Sequence, residues 1–263
     1  MGEYASVNGI DLYYEVHGAD NPGPPLVMLH GGVLTFHLSF DALLPELTAD
    51  RHVIGIELQG HGHTADSDRP FTIRQCADDV LALLDQLGHQ QADFFGYSLG
   101  GLVSTDIATR HPERVGRLVL AAAHFRPDAY YPEITGPEQN SPRLPTEANF
   151  DAMHRAYDEV APNRDDFFPF MEKIQPAVHE FEPWTPEQLA QITMPVLIII
   201  GDTDFIRLEH AVEMKQLLPD AQLAILPGTK HTEVIRADLV LPMIRPFLAQ
   251  SPGADLGRTS PVS

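Results

Sequence analysis

The 263-residue chain holds one cysteine, Cys76, so no disulfide can form within it. A disulfide-stapled fold is excluded, and packing must hold the core. Cys76 sits in the helical pattern IRQCADDVLALLDQL, where it reads as a small buried filler rather than a reactive thiol. Basic residues are scarce: 17 Lys and Arg stand against 37 Asp and Glu, a formal net charge of −20. That balance argues against nucleic acid as a partner, because phosphate backbones need basic patches. It also disfavours anionic membrane surfaces. Long hydrophobic runs are missing too. The longest, such as VLIII at 196–200, fall far short of the ~20 residues that span a bilayer. The opening MGEYASVNGIDLYYEV has no basic start followed by an apolar core, so no secretory leader is expected. These absences lead to the expectation of a soluble, cytoplasmic protein. They do not fix its oligomeric state.

What is present is a rhythm of short apolar runs. YASV, Asn8-Gly9 and IDLYYEV read as a hairpin, since Asn-Gly between β-rich runs suits a tight primed turn. Six further runs follow at 24–30, 52–58, 92–97, 117–123, 195–200 and 221–226. Continuous apolar runs of this length suit strands buried on both faces, as in a parallel sheet. Helical stretches are expected at 72–87, 99–110, 207–218 and 233–249. Thr72 is placed to cap the first of these, and Gly88 to end it. The alternation predicts an α/β fold: a doubly wound, mostly parallel sheet with an N-terminal antiparallel hairpin.

Residues 126–190 break the rhythm, with several prolines, many aromatics and no β run. A structureless loop of that length is improbable, so helices are expected at 149–160 and 165–178. The division that follows is a core of residues 1–125 and 191–250, an inserted helical cap at 126–190, and a disordered tail at 251–263, polar and rich in Pro, Gly and Ser.

FFGYSLGG at 94–101 places Ser98 at the end of an apolar run, with Gly96 and Gly100 two residues to either side. This is G-x-S-x-G, the strand–turn–helix elbow that exposes a nucleophile at the carboxyl edge of a sheet. A serine hydroxyl needs a base, usually a histidine oriented by a carboxylate. Downstream, GDTD at 201–204 ends an apolar run, making Asp204 the expected acid and Asp202 the reserve. His231 follows the last strand and is the only histidine after His210, which lies inside a predicted helix. An oxyanion needs two backbone N–H donors. Leu99, after the serine, is one candidate, and Gly32 in His30-Gly31-Gly32 is the other, with His30 expected to hold that loop. Leu34, Phe36, His124 and Phe125 are expected to line a substrate pocket. His61 and His63 form a lone H-x-H, too little for a metal site, and no metal or cofactor is expected.

Together, HGG at 30–32, GHGHT at 60–64, GYSLGG at 96–101, GDTD at 201–204 and the late His231 make the chain resemble the α/β-hydrolase superfamily over residues 4–125 and 191–249. The resemblance implies a serine hydrolase that cleaves a small carboxylic ester or lactone through an acyl-enzyme. The same scaffold also carries C–C hydrolases of ring-fission products, cofactor-free perhydrolases and non-catalytic ligand-binding proteins. Members that use aspartate as nucleophile are excluded by Ser98. Two positions depart from the family pattern: Gln59 stands where a bracing arginine is usual, and Lys230 where glycine often precedes the histidine. The lysine is expected to pair with an acidic cap or to point into water.

Overall fold

The computed structural model describes residues 2–135 and 141–250. The tail expected at 251–263 lies outside the described residues. Strands β1 (Glu3–Val7) and β2 (Ile10–His17) form the hairpin, with Val7 opposite Ile10. Asn8 and Gly9 both take positive φ, 45° and 87°, as a two-residue primed turn requires. Next come β3 (Leu26–Leu29), β4 (Val53–Glu57), β5 (Ala92–Tyr97), β6 (Val115–Ala121), β7 (Val196–Gly201) and β8 (Ala221–Leu226). They make one sheet in the order β1-β2-β4-β3-β5-β6-β7-β8. Only the β1–β2 and β2–β4 pairings are antiparallel; the other five are parallel.

The apolar runs are continuous because helices cover both faces. Val27, Leu29, Phe94, Leu118, Leu120, Ile198 and Ile200 face one side. There they meet α3 (Ile73–Gln86), α4 (Leu99–Arg110) and α9 (Leu208–Leu217). The intervening Leu26, Met28, Phe95, Val119, Leu197 and Ile199 face the other. They pack on α1 (Phe36–Phe40), α2 (Leu44–Thr48) and α10 (Ala237–Ala249). Full burial of each such side chain is worth about 1.5–3 kcal/mol, so this double-sided packing dominates the fold's stability. Thr72 accepts from the Gln75 N–H at 3.1 Å and Gly88 leaves the helix at φ 80°, so the two caps of α3 are formed as the sequence suggests. The five-residue helices α1 and α2 were not foreshadowed by patterning. The last helix starts four residues later than expected, after a 3-10 turn at His231–Glu233.

Between β6 and β7 the chain forms α5 (Pro132–Thr135), α6 (Glu147–Val160), α7 (Phe167–His179) and α8 (Pro186–Leu189). Lys173 on α7 ties this segment to the loop after β4, its ammonium 2.8 and 2.9 Å from the Asp66 carboxylate oxygens. No helix among the described residues is long and apolar enough to cross a membrane.

Candidate active site

Strand β5 ends at Tyr97 and α4 begins at Leu99, so Ser98 alone makes the turn. Its φ of 50° and ψ of −113° are sparsely populated for any residue with a side chain. The turn is tight enough to account for both glycines. A Cβ at Gly96 would lie 2.4 Å from the Gly100 carbonyl oxygen, and one at Gly100 only 2.1 Å from the carbonyl oxygen of Leu29. Backbone would have to move for either to change.

The parallel strands bring their following loops to the same edge, and two of these loops meet Ser98. His231 Nδ1 is 2.9 Å from Asp204 Oδ1, and Nε2 is 2.9 Å from Ser98 Oγ. A carboxylate can only accept, so Nδ1 carries the proton and Nε2 is free to take one from the serine. Asp204 is fully buried, and its Oδ1 also accepts the Ile206 N–H at 3.0 Å. The Phe205 ring stacks on the imidazole with centroids 3.9 Å apart, and the Tyr97 hydroxyl donates to the His231 carbonyl at 3.0 Å. The histidine is thus held by its ring face, its backbone and one nitrogen. Asp202, the reserve acid, accepts instead from the Thr229 N–H at 3.3 Å and shapes the loop that delivers His231. The Lys230 N–H bonds the Glu233 carboxylate at 3.0 Å, and the Lys230 ammonium makes no ion pair among the described residues.

The glycine loop is locked to this arrangement by two neutral histidines. His30 Nδ1–H donates to the Gly31 carbonyl at 2.8 Å, and Nε2 accepts the Leu58 N–H at 3.1 Å. The Gly100 N–H donates to the His30 carbonyl at 3.0 Å, joining the loop to α4. His61 Nδ1–H donates to the Gln59 carbonyl, while Nε2 accepts the N–H of Val33 at 3.0 Å. Val33 has φ 53°, costly for a β-branched residue, so His61 holds a strained turn beside the serine. With Val33 engaged, the Gly32 and Leu99 N–H groups have no acceptor among the described residues. A Cβ on Gly32 would be 3.9 Å from that of Leu99, so the two candidate donors are neighbours. Where the family's arginine is missing, Arg69 reaches in: its Nε donates to Gln59 Oε1 at 2.5 Å, and it pairs with Asp79.

Ser98 and His231 open onto a cavity of about 730 Å³. Of the four residues expected to line it, Leu34 and His124 do, beside the candidate oxyanion donors Gly32 and Leu99. Phe36 and Phe125 do not. Phe36 lies in α1, fully buried, its ring filling the space that a Cβ on Gly55 would take. Phe125 turns away to stack on His210, with centroids 4.4 Å apart. Much of the remaining lining comes from α7, where Met171, Ile174, Gln175 and Val178 recur at helical spacing on one face. That spacing is legible in the sequence of the helix expected at 165–178.

Two buried histidines near the cavity have a consequence for stability. Desolvation lowers His124 and His210 each to about 3; His210 further depresses His124, and Arg126 and Arg207 further depress His210. Between pH 3 and 6.5 the folded protein keeps both neutral, whereas histidines in the unfolded chain take up protons. Their contribution is therefore complete above pH 6.5 and is lost as pH falls toward 3, by about 1.4 kcal/mol per pH unit for each. In His210→Gln the amide oxygen can still accept the Phe125 N–H, which His210 Nε2 accepts at 3.1 Å. Urea titrations between pH 6.5 and 4.5 should show a shallower loss of stability in that variant than in the wild type. Parallel profiles would contradict the assignment.

A serine, a histidine and a buried aspartate in one hydrogen-bonded chain, at the carboxyl edge of a mostly parallel sheet, define an enzyme of the serine hydrolase type. The model of the alpha/beta hydrolase family matches residues 26–245, and the chain belongs to that family. RutD of Pseudomonas savastanoi pv. phaseolicola, assigned as a carbamate hydrolase, is 27% identical over 242 residues, 85% of this chain and 93% of that protein. The pimeloyl-(acyl-carrier protein) methyl ester esterase of Neisseria meningitidis serogroup B is 42% identical over 108 residues, a match spanning 40% of each chain. The enol-lactonase of Burkholderia xenovorans shares the fold, with a TM-score of 0.74, 24% identity, and coverage of 94% of this chain and 100% of that one.

Proposed function

We propose that this protein hydrolyses a small, uncharged carboxylic ester or lactone through an acyl-enzyme on Ser98. The observation that carries this reading is the continuous Ser98–His231–Asp204 hydrogen-bond chain opening onto the cavity. Ser98 Oγ attacks the carbonyl carbon as its proton passes to His231 Nε2, and the carbonyl π electrons move onto oxygen. The N–H groups of Gly32 and Leu99 bind that oxyanion. Collapse breaks the bond to the alkoxy group, which leaves with the proton from Nε2. Water then attacks the acyl carbon, gives a proton to His231, and releases the acid as Ser98 recovers its own. Asp204 orients the imidazole and stabilises its charged form throughout. In this reading residues 126–190 act as a cap over a core of 1–125 and 191–250, and the enzyme works in the cytoplasm without a cofactor.

The cavity's charge supports a neutral substrate. Among the described residues no lysine or arginine lines it; Glu180 contributes a carboxyl group, and His124 and His179 are both held below the usual histidine range by burial. An ionised carboxylate entering such a site would lose water and gain no cation, a penalty of several kcal/mol. This counts against ring-fission acids as substrates. It is tested with p-nitrophenyl hexanoate and the mono-p-nitrophenyl ester of adipic acid, which differ by a terminal carboxylate. The hexanoate should be favoured in kcat/KM by roughly 100-fold or more. Equal rates, or preference for the acid, would refute the neutral-substrate reading.

A further inference from the structure

The orientation of Asp204 depends on the turn that carries it, because its Oδ1 bonds both His231 and the N–H of Ile206 two residues ahead. The segment between β6 and α6 grips that turn. The Tyr131 N–H donates to the Phe205 carbonyl at 3.1 Å, and the Arg207 N–H to the Ala129 carbonyl at 2.9 Å. Tyr130 and Ile206 form an antiparallel bridge. Arg143 completes the grip from the far end of the segment. Its Nη1 donates to the carbonyl oxygen of Asp204 itself at 2.8 Å. The guanidinium lies 4.2 Å over the Tyr131 ring, and its Nε is 3.6 Å from Glu133 Oε1. A planar group held by stacking, by a carboxylate and by one carbonyl has little freedom left.

We propose that Arg143 is a positioning residue, which holds the Asp204 turn so that the carboxylate meets His231 and thereby couples the substrate-covering segment to the catalytic acid. The proposal rests on the reading of Asp204 as the triad acid. Loss of the contact should let the turn relax, and misplacement of a catalytic group by about 1 Å can cost on the order of 100-fold in rate. Arg143 does not line the cavity, so substrate affinity should change little.

Arg143→Met keeps the stem's bulk and removes the donor. With p-nitrophenyl butyrate, kcat should fall about 10- to 100-fold while KM stays within about threefold. Arg143→Lys, which retains a donor, should recover most of the loss. Tyr131→Leu, which frees the guanidinium, should lower kcat in the same direction by a smaller factor, and it decides the matter if Arg143→Met does not fold. A second readout is the rate at which an alkyl p-nitrophenyl phosphonate labels the serine, releasing one p-nitrophenolate per site. Labelling of the wild type that is lost in Ser98→Ala, but slowed in Arg143→Met, supports the proposal. Equal labelling rates in wild type and Arg143→Met, an effect on KM alone, or a folded Arg143→Lys as slow as Arg143→Met overturns it. A wild type that is not labelled, or a Ser98→Ala variant that is, overturns the triad reading instead.

Discussion

Ser98→Ala reduces ester hydrolysis by about five to six orders of magnitude in kcat, leaving only what the oxyanion donors and the cavity provide. The loss is chemical rather than structural. Alanine keeps the Cβ that already occupies the φ 50° position, so the elbow retains its backbone and its two glycine contacts. The circular dichroism spectrum and thermal midpoint should match the wild type within error. KM, if residual turnover can be followed, should stay near its original value, because the hydroxyl contributes to the transition state and little to ground-state binding. Retention of more than about a tenth of wild-type kcat would mean that water is activated by another group.

Asp204→Asn should cost about 10⁴-fold in kcat. Asparagine fits the same space, but its amide can turn N–H groups toward the imidazole and favour the tautomer with the proton on Nε2, which then has no lone pair for Ser98. The loss is sharpened by burial: Asp204 has no solvent exposure, so no water can substitute for the carboxylate. Asp202→Asn, two residues earlier, should leave kcat within about threefold, since its single bond, from the Thr229 N–H, needs only an oxygen acceptor. Steady-state kinetics on the pair separates the assignments. The reverse pattern would move the acid to Asp202.

That choice between two aspartates illustrates what was legible in the sequence. The order of serine, acid and histidine follows from the order of strands: β3 to β7 announced themselves as apolar runs buried on both faces, and β8, which precedes the histidine, as an apolar run that is only half-buried at the sheet edge. Which residue of GDTD points at the histidine depends on the turn beyond β7. That turn is set by the Asp204 N–H to Gly201 bond and the Thr203 N–H to Thr229 bond, the latter to a residue 26 positions later that no local pattern reveals. The two misplaced pocket residues fail for a related reason. Phe36 follows the glycine loop and is apolar, but the short helix α1 rotates it into the gap above Gly55. Phe125 is fixed by His210, 85 residues away.

The strained Val33 and its brace His61 were likewise hidden, because a positive φ at valine has no sequence signature and the pair meets only across the fold. At Gln59, where an arginine is usual, the side chain is met by Arg69, ten residues on, a contact that the family pattern does not mark. Arg143 lies in the segment between β6 and β7, away from the motifs that carry the family resemblance. The sequence could not say that it reaches Asp204, since that contact needs both the inserted segment and the β7 loop in place.

The central claim is that an acyl group is carried by Ser98 during turnover. The direct measurement is to quench the protein in acid within milliseconds of mixing with p-nitrophenyl butyrate, digest it, and weigh the peptides. The account predicts that the peptide containing Gly96-Tyr97-Ser98-Leu99-Gly100 gains one butyryl group, and that fragmentation places it on Ser98. A butyryl group on another residue, or rapid p-nitrophenolate release with that peptide unmodified at every time sampled, would contradict it.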